Sequence, residues 1–246
     1  MLEKSFCRPV ENRSLFMANR TQKIIQNALS RGQSALSEYE SKRVLAAYGI
    51  PISKELLVTS ASQARAAAKK IGYPIVLKAC SPNETHKTEK GLVVVNLSNQ
   101  KELNLAWLSL GKKAGKSYKG AWLVQEMVKG SREIMIGMHR DPGFGPAVMF
   151  GLGGIFTEIL QDVVFRVAPL RKRDASDMLR GIRAKKILNE IRGLPAANRE
   201  ILTHTLMAVG QIALDHPDIA EIDINPMIIR GAKAVAVDGL IMFSES

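Results

Sequence analysis

Cysteine is nearly absent from this chain: Cys7 and Cys80 are the only two, and they lie far apart in the sequence. Two such cysteines build neither a disulfide framework nor a cysteine metal site, and they fit a reducing, cytoplasmic compartment. Aromatic residues make up only 5%. No basic stripe is interleaved with them, so base-stacking platforms for nucleic acid are missing. Long apolar runs are absent too. The stretch from Ala147 to Phe156 is among the longest, well short of the roughly 20 residues that span a bilayer. Near the N-terminus, Glu3 and Lys4 interrupt any leader-like apolar core. The basic, serine-containing segment 1–36 leaves a transit-peptide reading open, with Glu3 and Glu11 counting against it. Neither DNA, RNA nor a membrane is an expected partner.

What the chain does have is positive charge and a sizeable apolar fraction. A formal charge of +12 attracts anions, phosphorylated cofactors among them. At 246 residues and 46% hydrophobic composition, the chain can bury a core as one large domain or two smaller ones.

Along the chain, residues 1–36 lack sustained periodicity and read as an arm or a short leading helix. Ser37 with Glu40 three residues on is a capping-box pattern, and Gly49 and Pro51 end the helix it starts. The chain then alternates. Strands are expected at 55–58, 75–79, 92–97, 121–127, 133–138 and 147–150, and helices at 60–70 and 101–113. A polar loop spans 81–91, and Asp141–Gly145 is a turn carrying Pro142 and Gly143. Segments 155–160 and 163–168 read as a hairpin, 174–188 and 198–215 as helices, and 219–229 and 234–243 as closing strands. Mixed helices with antiparallel hairpins make the class α+β.

Several residue groups could carry chemistry. In Glu221-Ile222-Asp223-Ile224-Asn225-Pro226, a strand places three oxygen-bearing side chains on one face and two isoleucines on the other. A strand returning through Val235 and Val237 carries Asp238 back past Asn225. This is either a hard-cation site of the kind that holds Mg²⁺ with nucleotide or a solvated strand face. Lys78 closes the apolar run Ile75-Val76-Leu77, as a snorkelling surface residue or as a point charge for phosphate. His86, in the polar loop, is either inert or a nucleophile toward phosphoryl groups. Gln125-Glu126-Met127, followed by Glu133, could offer backbone to an adenine edge. In Phe150-Gly151-Leu152-Gly153-Gly154, glycines let backbone approach an anion, but neither Walker A nor Rossmann spacing is present.

Taken together and in order, these segments resemble the β subunit, or the equivalent C-terminal region, of ADP-forming acyl-CoA synthetases. That superfamily includes succinyl-CoA synthetase and builds its nucleotide half as an ATP-grasp fold. The resemblance runs from about Leu36 to Ile241. It rests on Leu36 to Lys42, Gly72 to Lys78 with Ser81-Pro82 and His86-Lys87, Val124 to Val128, Asp141 to Pro146, Met149 to Phe156, Glu158, Phe165 to Leu170, and Glu221 to Pro226.

The resemblance implies an arm (1–36) and two α+β subdomains (37–127 and 128–246) gripping ATP or ADP. Lys78 would meet phosphate, with Gln125, Glu126, Met127, Glu133, Gly153 and Gly154 around the nucleotide and Asn225 and Asp238 on Mg²⁺. His86 would carry a phosphoryl group, Asp223 would orient it, and Glu158 and Arg166 would be active-site neighbours. A separate CoA-binding α subunit would complete a hetero-oligomer. A non-catalytic regulatory module and a stand-alone ATP-grasp carboxylate ligase are the alternatives. The sequence departs from the family at Leu92, which replaces the second glycine of a paired-glycine turn; if that position needed positive φ, leucine would cost of order 1 kcal/mol. It departs again at Gly239-Leu240, where a basic residue is expected close to Asp238.

Overall fold

Two antiparallel sheets organise the chain in this computed structural model, which describes residues 10–83, 87, 90–154 and 162–244. The first sheet contains β1 (Glu55–Val58), β2 (Ile75–Cys80), β3 (Val93–Leu97) and β4 (Ala121–Glu126), in the order β1-β4-β2-β3. Helices α3 (Ala61–Ile71) and α4 (Gln100–Ala114) cover one face. The alanines of α3 let it lie close to the sheet: Ala64, Ala67 and Ala68 are buried against Ile75, Leu77, Ala79 and Val124. Every residue of β2 is buried. By the period-two rule Val76, Lys78 and Cys80 therefore occupy the face opposite the helices.

The second sheet contains β5 (Glu133–Asp141), β6 (Gly145–Leu152), β7 (Val163–Val167), β8 (Ile219–Arg230) and β10 (Leu240–Phe243), in the order β10-β8-β5-β6-β7. A short β9 (Lys233–Ala236) pairs with the far end of β8. On one face α5 (Lys172–Gly181) and α6 (Arg199–Asp215) bury Met178, Leu206, Val209 and Ile212 against Ile136, Val148, Phe150, Ile222 and Ile224.

Among the described residues the expected elements recur with three differences. Residues Val10–Leu29 form one 20-residue helix, α1, whose Ile25 and Ala28 reach the core of the six-stranded sheet. The expected helix 174–188 stops at Gly181 and resumes as a 3-10 turn, Lys185–Leu188. The Asp162 carboxylate accepts the Arg183 and Ala184 N–H groups at 2.7 Å each, which diverts those donors from a continuing helix. The expected final strand is two, broken between Ala236 and Leu240. Of the expected 155–168 hairpin, residues 155–161 lie outside the described residues, and β7 pairs with β6.

Helix α2 (Glu38–Ala47) begins at the capping box read from sequence. The Ser37 hydroxyl caps Glu40 N–H while the Glu40 carboxylate accepts the Ser37 N–H at 3.0 Å. Its Val44 and Leu45 are buried with the six-stranded sheet. The subdomain expected to start at residue 37 thus includes a helix that packs on the other core. The apolar stripe of α2 faces β10, while Glu38 and Lys42 of its first two turns reach back to the four-stranded sheet.

Candidate functional site

The two sheets meet through charge. Lys78 and Gln125 lie on the helix-free face of the four-stranded sheet, with Glu55 directly across from Gln125. Glu38 and Lys42 project from the first turns of α2, one helical turn apart. The Lys42 ammonium contacts Glu38 at 2.8 Å and also pairs with Glu55. It donates to Gln125 Oε1 at 2.8 Å and to the Val237 carbonyl at 3.3 Å. The Lys78 ammonium lies 2.5 Å from Glu38 and donates to the Val237 carbonyl at 3.1 Å. Lys87 pairs with Glu38 and with both oxygens of Asp238, at 3.1 and 3.2 Å.

Burial alone would raise the Glu38 carboxyl, but Lys78, Lys42 and Lys87 outweigh it and hold the group far below the usual carboxylate range. Burial would lower Lys42 and Lys87, and their carboxylates reverse that, so both sit above the ordinary lysine value. Lys78 goes the other way. Burial pulls it down, Glu38 opposes, and its lysine neighbours reinforce the fall.

The break between β9 and β10 sets the other half of the site. Met227 pairs with Ala236, and Asp223 with Leu240. The Val237 N–H bonds the Pro226 carbonyl at 3.2 Å. This register brings Asp238 beside Asn225, as the returning-strand reading expected. Along β8, Ile222 and Ile224 are buried while Glu221, Asp223 and Asn225 lie on the opposite, helix-free face. Burial, then Glu221, then Asp238 push the Asp223 carboxyl up to about 6. Its Oδ1 is buried without a hydrogen-bond partner among the described residues.

Among the described residues no group of three His, Cys, Asp or Glu side chains is placed to hold a metal by itself. A nucleotide-bound hard cation needs fewer, because phosphates and water complete its shell. The oxygen donors Asn225 and Asp238, beside an unpartnered buried carboxylate oxygen, fit that chemistry.

The end of β4 offers acceptors. The Glu126 and Met127 N–H groups donate to the Lys54 and Pro74 carbonyls at 2.9 and 3.1 Å. The Lys54 N–H turns instead to the Glu126 side chain at 2.8 Å, and Pro74 has no N–H to return. The Glu126 and Met127 carbonyls are therefore not matched by these two neighbours, and an amino group of a base could bond them. The Glu126 carboxylate itself is held by Arg230 at 3.0 Å and by Lys54, so it is a brace.

The glycine run has a packing reason. A Cβ on Gly153 would stand 2.9 Å from the Ile134 backbone, and one on Gly154 would stand 2.6 Å from the Glu133 carboxylate. The Gly153 N–H donates to the Glu133 carbonyl at 3.0 Å. Gly153, Gly154 and Glu133 are thus brought together at the mouth of the β5–β6 pair.

Arg166 is not brought to this group. Asp223 pairs with Gly137, Gly137 with Met149, and Met149 with Phe165, so Phe165 shares the Asp223 face and Arg166 lies on the other. Arg166 is exposed on edge strand β7, three strands from β8, and acts on Asp174 of α5. The resemblance implies only an active-site neighbour here, and the strand period puts Arg166 on the face away from Asp223. His86 and Glu158 lie outside the described residues.

Sequence reasoning passed over Glu38, Lys42, Glu55 and Lys87. A buried i,i+4 Glu–Lys pair in a first helical turn looks like an ordinary surface pair until tertiary structure buries it. Lys87 also supplies the cation expected near Asp238, from a distant loop rather than from the residues after it. Leu92 is not among the positive-φ residues; Gly91 takes that conformation with φ 63°. Leu92 is buried, and its N–H donates to the Lys87 carbonyl at 2.8 Å, so the turn carries no leucine strain.

A family model for the ATP-grasp domain matches residues 27–243. The β subunit of acetate–CoA ligase (ADP-forming) I from Pyrococcus furiosus is 42% identical over 224 residues, covering 89% of this chain and 96% of that one. This chain belongs to the ATP-grasp family, among the β subunits of ADP-forming acyl-CoA ligases. ATP-grasp domains bind ATP or ADP.

Among solved structures, acetyl-CoA synthetase 1 of Ca. Korarchaeum cryptofilum, complexed with coenzyme A, Ca-AMPCP and HgCl⁺, superposes with a TM-score of 0.87 at 36% identity. The match covers 91% of this chain and all of that one. The same synthetase with coenzyme A and Mg-AMPPCP, its phosphohistidine segment pointing towards the nucleotide site, gives 0.80 at 36% identity and the same coverage. Among the described residues of this ATP-grasp chain, no helix is long and apolar enough to cross a membrane.

Proposed function

We propose that this chain is the nucleotide-binding subunit of a cytoplasmic, ADP-forming acyl-CoA synthetase, reversibly joining an acid and CoA at the expense of ATP. The observation that carries the reading is the meeting of Lys78 with the Asp223–Asn225–Asp238 group where the two sheets join. One wall supplies a cation for phosphate and the other supplies oxygens for a hard cation. Phosphoryl transfer asks for that positioning and charge neutralisation more than for covalent chemistry from the protein.

In this reading Gln125, Glu126 and Met127 bound the base, with the two carbonyls accepting its amino group. Lys78 meets the phosphates, and Glu133 with Gly153 and Gly154 closes the glycine side. Asn225 and Asp238 hold Mg²⁺, which neutralises phosphate charge when bound. Asp223, a carboxyl titrating near neutrality with a free oxygen, is suited to orient a cationic or hydrogen-bonding imidazole. His86 is that group, carrying phosphate to a CoA-binding α subunit, and Glu158 stays a candidate neighbour. Arg166 has no place in this arrangement. The turn at Leu92 carries no positive-φ strain, so the departure there lends no support to the non-catalytic alternative.

A thermal melt with Mg-ADP tests the proposal. At about 100 times its dissociation constant a ligand stabilises by roughly 2.7 kcal/mol, a shift of about 5–10 °C for a chain of this size. The shift should need magnesium and vanish in an Asn225→Ala/Asp238→Ala variant. No shift at saturating Mg-ADP would sink the assignment.

A further inference from the structure

The surroundings of Glu38 are unusual. It is only 5% exposed, yet three ammonium groups from three parts of the chain converge on it: Lys42 of α2, Lys78 of β2, and Lys87. The three differ in what else they have. Lys42 also pairs with Glu55, and Lys87 also pairs with Asp238. Among the described residues Glu38 is the only carboxylate in contact with Lys78, whose remaining bond goes to the neutral Val237 carbonyl.

We infer that Glu38 is a positioning residue for nucleotide binding: it fixes the Lys78 ammonium in place and keeps it protonated for the phosphates. This rests on the proposed nucleotide site. Among the described residues, the charged groups around Lys78 are Glu38 and Lys42 from α2, Glu55 from β1, Lys87 from its loop, and Asp238 from the β9–β10 connection. Two of these are lysines that repel it. Glu55 is committed to Lys42, and Asp238 to Lys87. With Glu38 neutralised, the buried Lys78 would sit beside two cations with only the attraction of Asp238, itself paired with Lys87, to offset them, and the balance moves toward the neutral amine. A neutral amine no longer offers phosphate a point charge. Glu38 thus acts through Lys78 without touching the ligand.

The sign of the pH effect follows. Lys78 binds phosphate while protonated, so affinity is lost as pH rises through its pKa. Removing Glu38 moves that loss to lower pH.

The test is Mg-ADP affinity, measured by calorimetry from about pH 6 to about pH 9 for the wild-type chain, Glu38→Gln and Glu38→Asp. Wild type should hold its affinity to higher pH than Glu38→Gln does. Glu38→Gln should bind more weakly and lose affinity with rising pH, steepening toward tenfold per unit, the limit for one proton. Glu38→Asp keeps the charge but withdraws it by one methylene, so it should bind several-fold more weakly with the wild-type pH profile; it also serves if Glu38→Gln does not fold. Glu38→Gln with wild-type affinity, or with a loss equal at every pH, overturns the inference. So does Glu38→Asp with wild-type affinity. Failure of wild type to bind Mg-ADP at all would instead count against the nucleotide site itself.

Discussion

The two walls of the junction treat their charges differently. On the α2 side Glu38 and Glu55 are matched by Lys42, Lys78 and Lys87, all pulled into contact and nearly removed from water, and Lys87 reaches across to Asp238. On the β8 side Glu221, Asp223 and Asn225 share one strand face, and among the described residues no ammonium or guanidinium pairs with the two carboxylates. Asp223 carries a buried oxygen without a partner and a carboxyl raised to about 6. The first wall balances its charges internally, although Glu55, with one buried oxygen lacking a hydrogen bond among the described residues, is also held above the ordinary carboxylate value by burial. The second is less settled alone, as befits a face that receives a ligand, because unpaired buried polar atoms cost stability until something bonds them.

This contrast can be broken most forcefully at Lys42. Replacing it with Met would leave Glu38 short of one partner and Glu55 without its ammonium, both buried. Removing one member of a buried ion pair typically costs about 3–5 kcal/mol. Denaturant unfolding of Lys42→Met should show a loss of that size, and a loss below about 1 kcal/mol would mean the knot is no more than a surface pair.

Gly153→Ala probes the seam between the walls and the glycine run. Its Cβ would meet the Ile134 backbone at 2.9 Å, and backbone cannot swing aside as a side chain can. A cost of about 1–3 kcal/mol is expected, read as a lower midpoint of unfolding. An unchanged midpoint would show that the run tolerates a side chain, and that its glycines serve the ligand alone.

The opposite sign is expected on the β8 wall. Asp223→Asn removes a charge that burial, Glu221 and Asp238 all disfavour. It should stabilise the nucleotide-free chain by about 1 kcal/mol while impairing phosphoryl transfer. Destabilisation on that substitution would mean that Asp223 is a structural group and the two walls do not differ as described.

Much of the fold was legible beforehand because its signals are local. The Ser37–Glu40 capping box, the alanine helix before Gly72, the alternation of Glu221 to Asn225 and the turn at Asp141 to Gly145 each state their conformation within a few residues. The breaks that sequence did not announce came from distant partners. Asp162 takes the N–H groups that would extend α5, and the interruption between Ala236 and Leu240 divides one expected strand into two.

The same division holds for the site. Residue types and their order carried the resemblance to ADP-forming acyl-CoA synthetases, and strand period alone put Asp223 and Asn225 on one face with Ile222 on the other. Tertiary structure decided which charges meet. Pairing across four strands sent Arg166 to the face away from Asp223, and the packing of α2 on the opposite core turned Glu38 and Lys42 from a routine helical pair into the buried centre of the junction. Ion pairing is set by distance and burial. Between residues 38, 78, 87 and 238, only the folded chain fixes either.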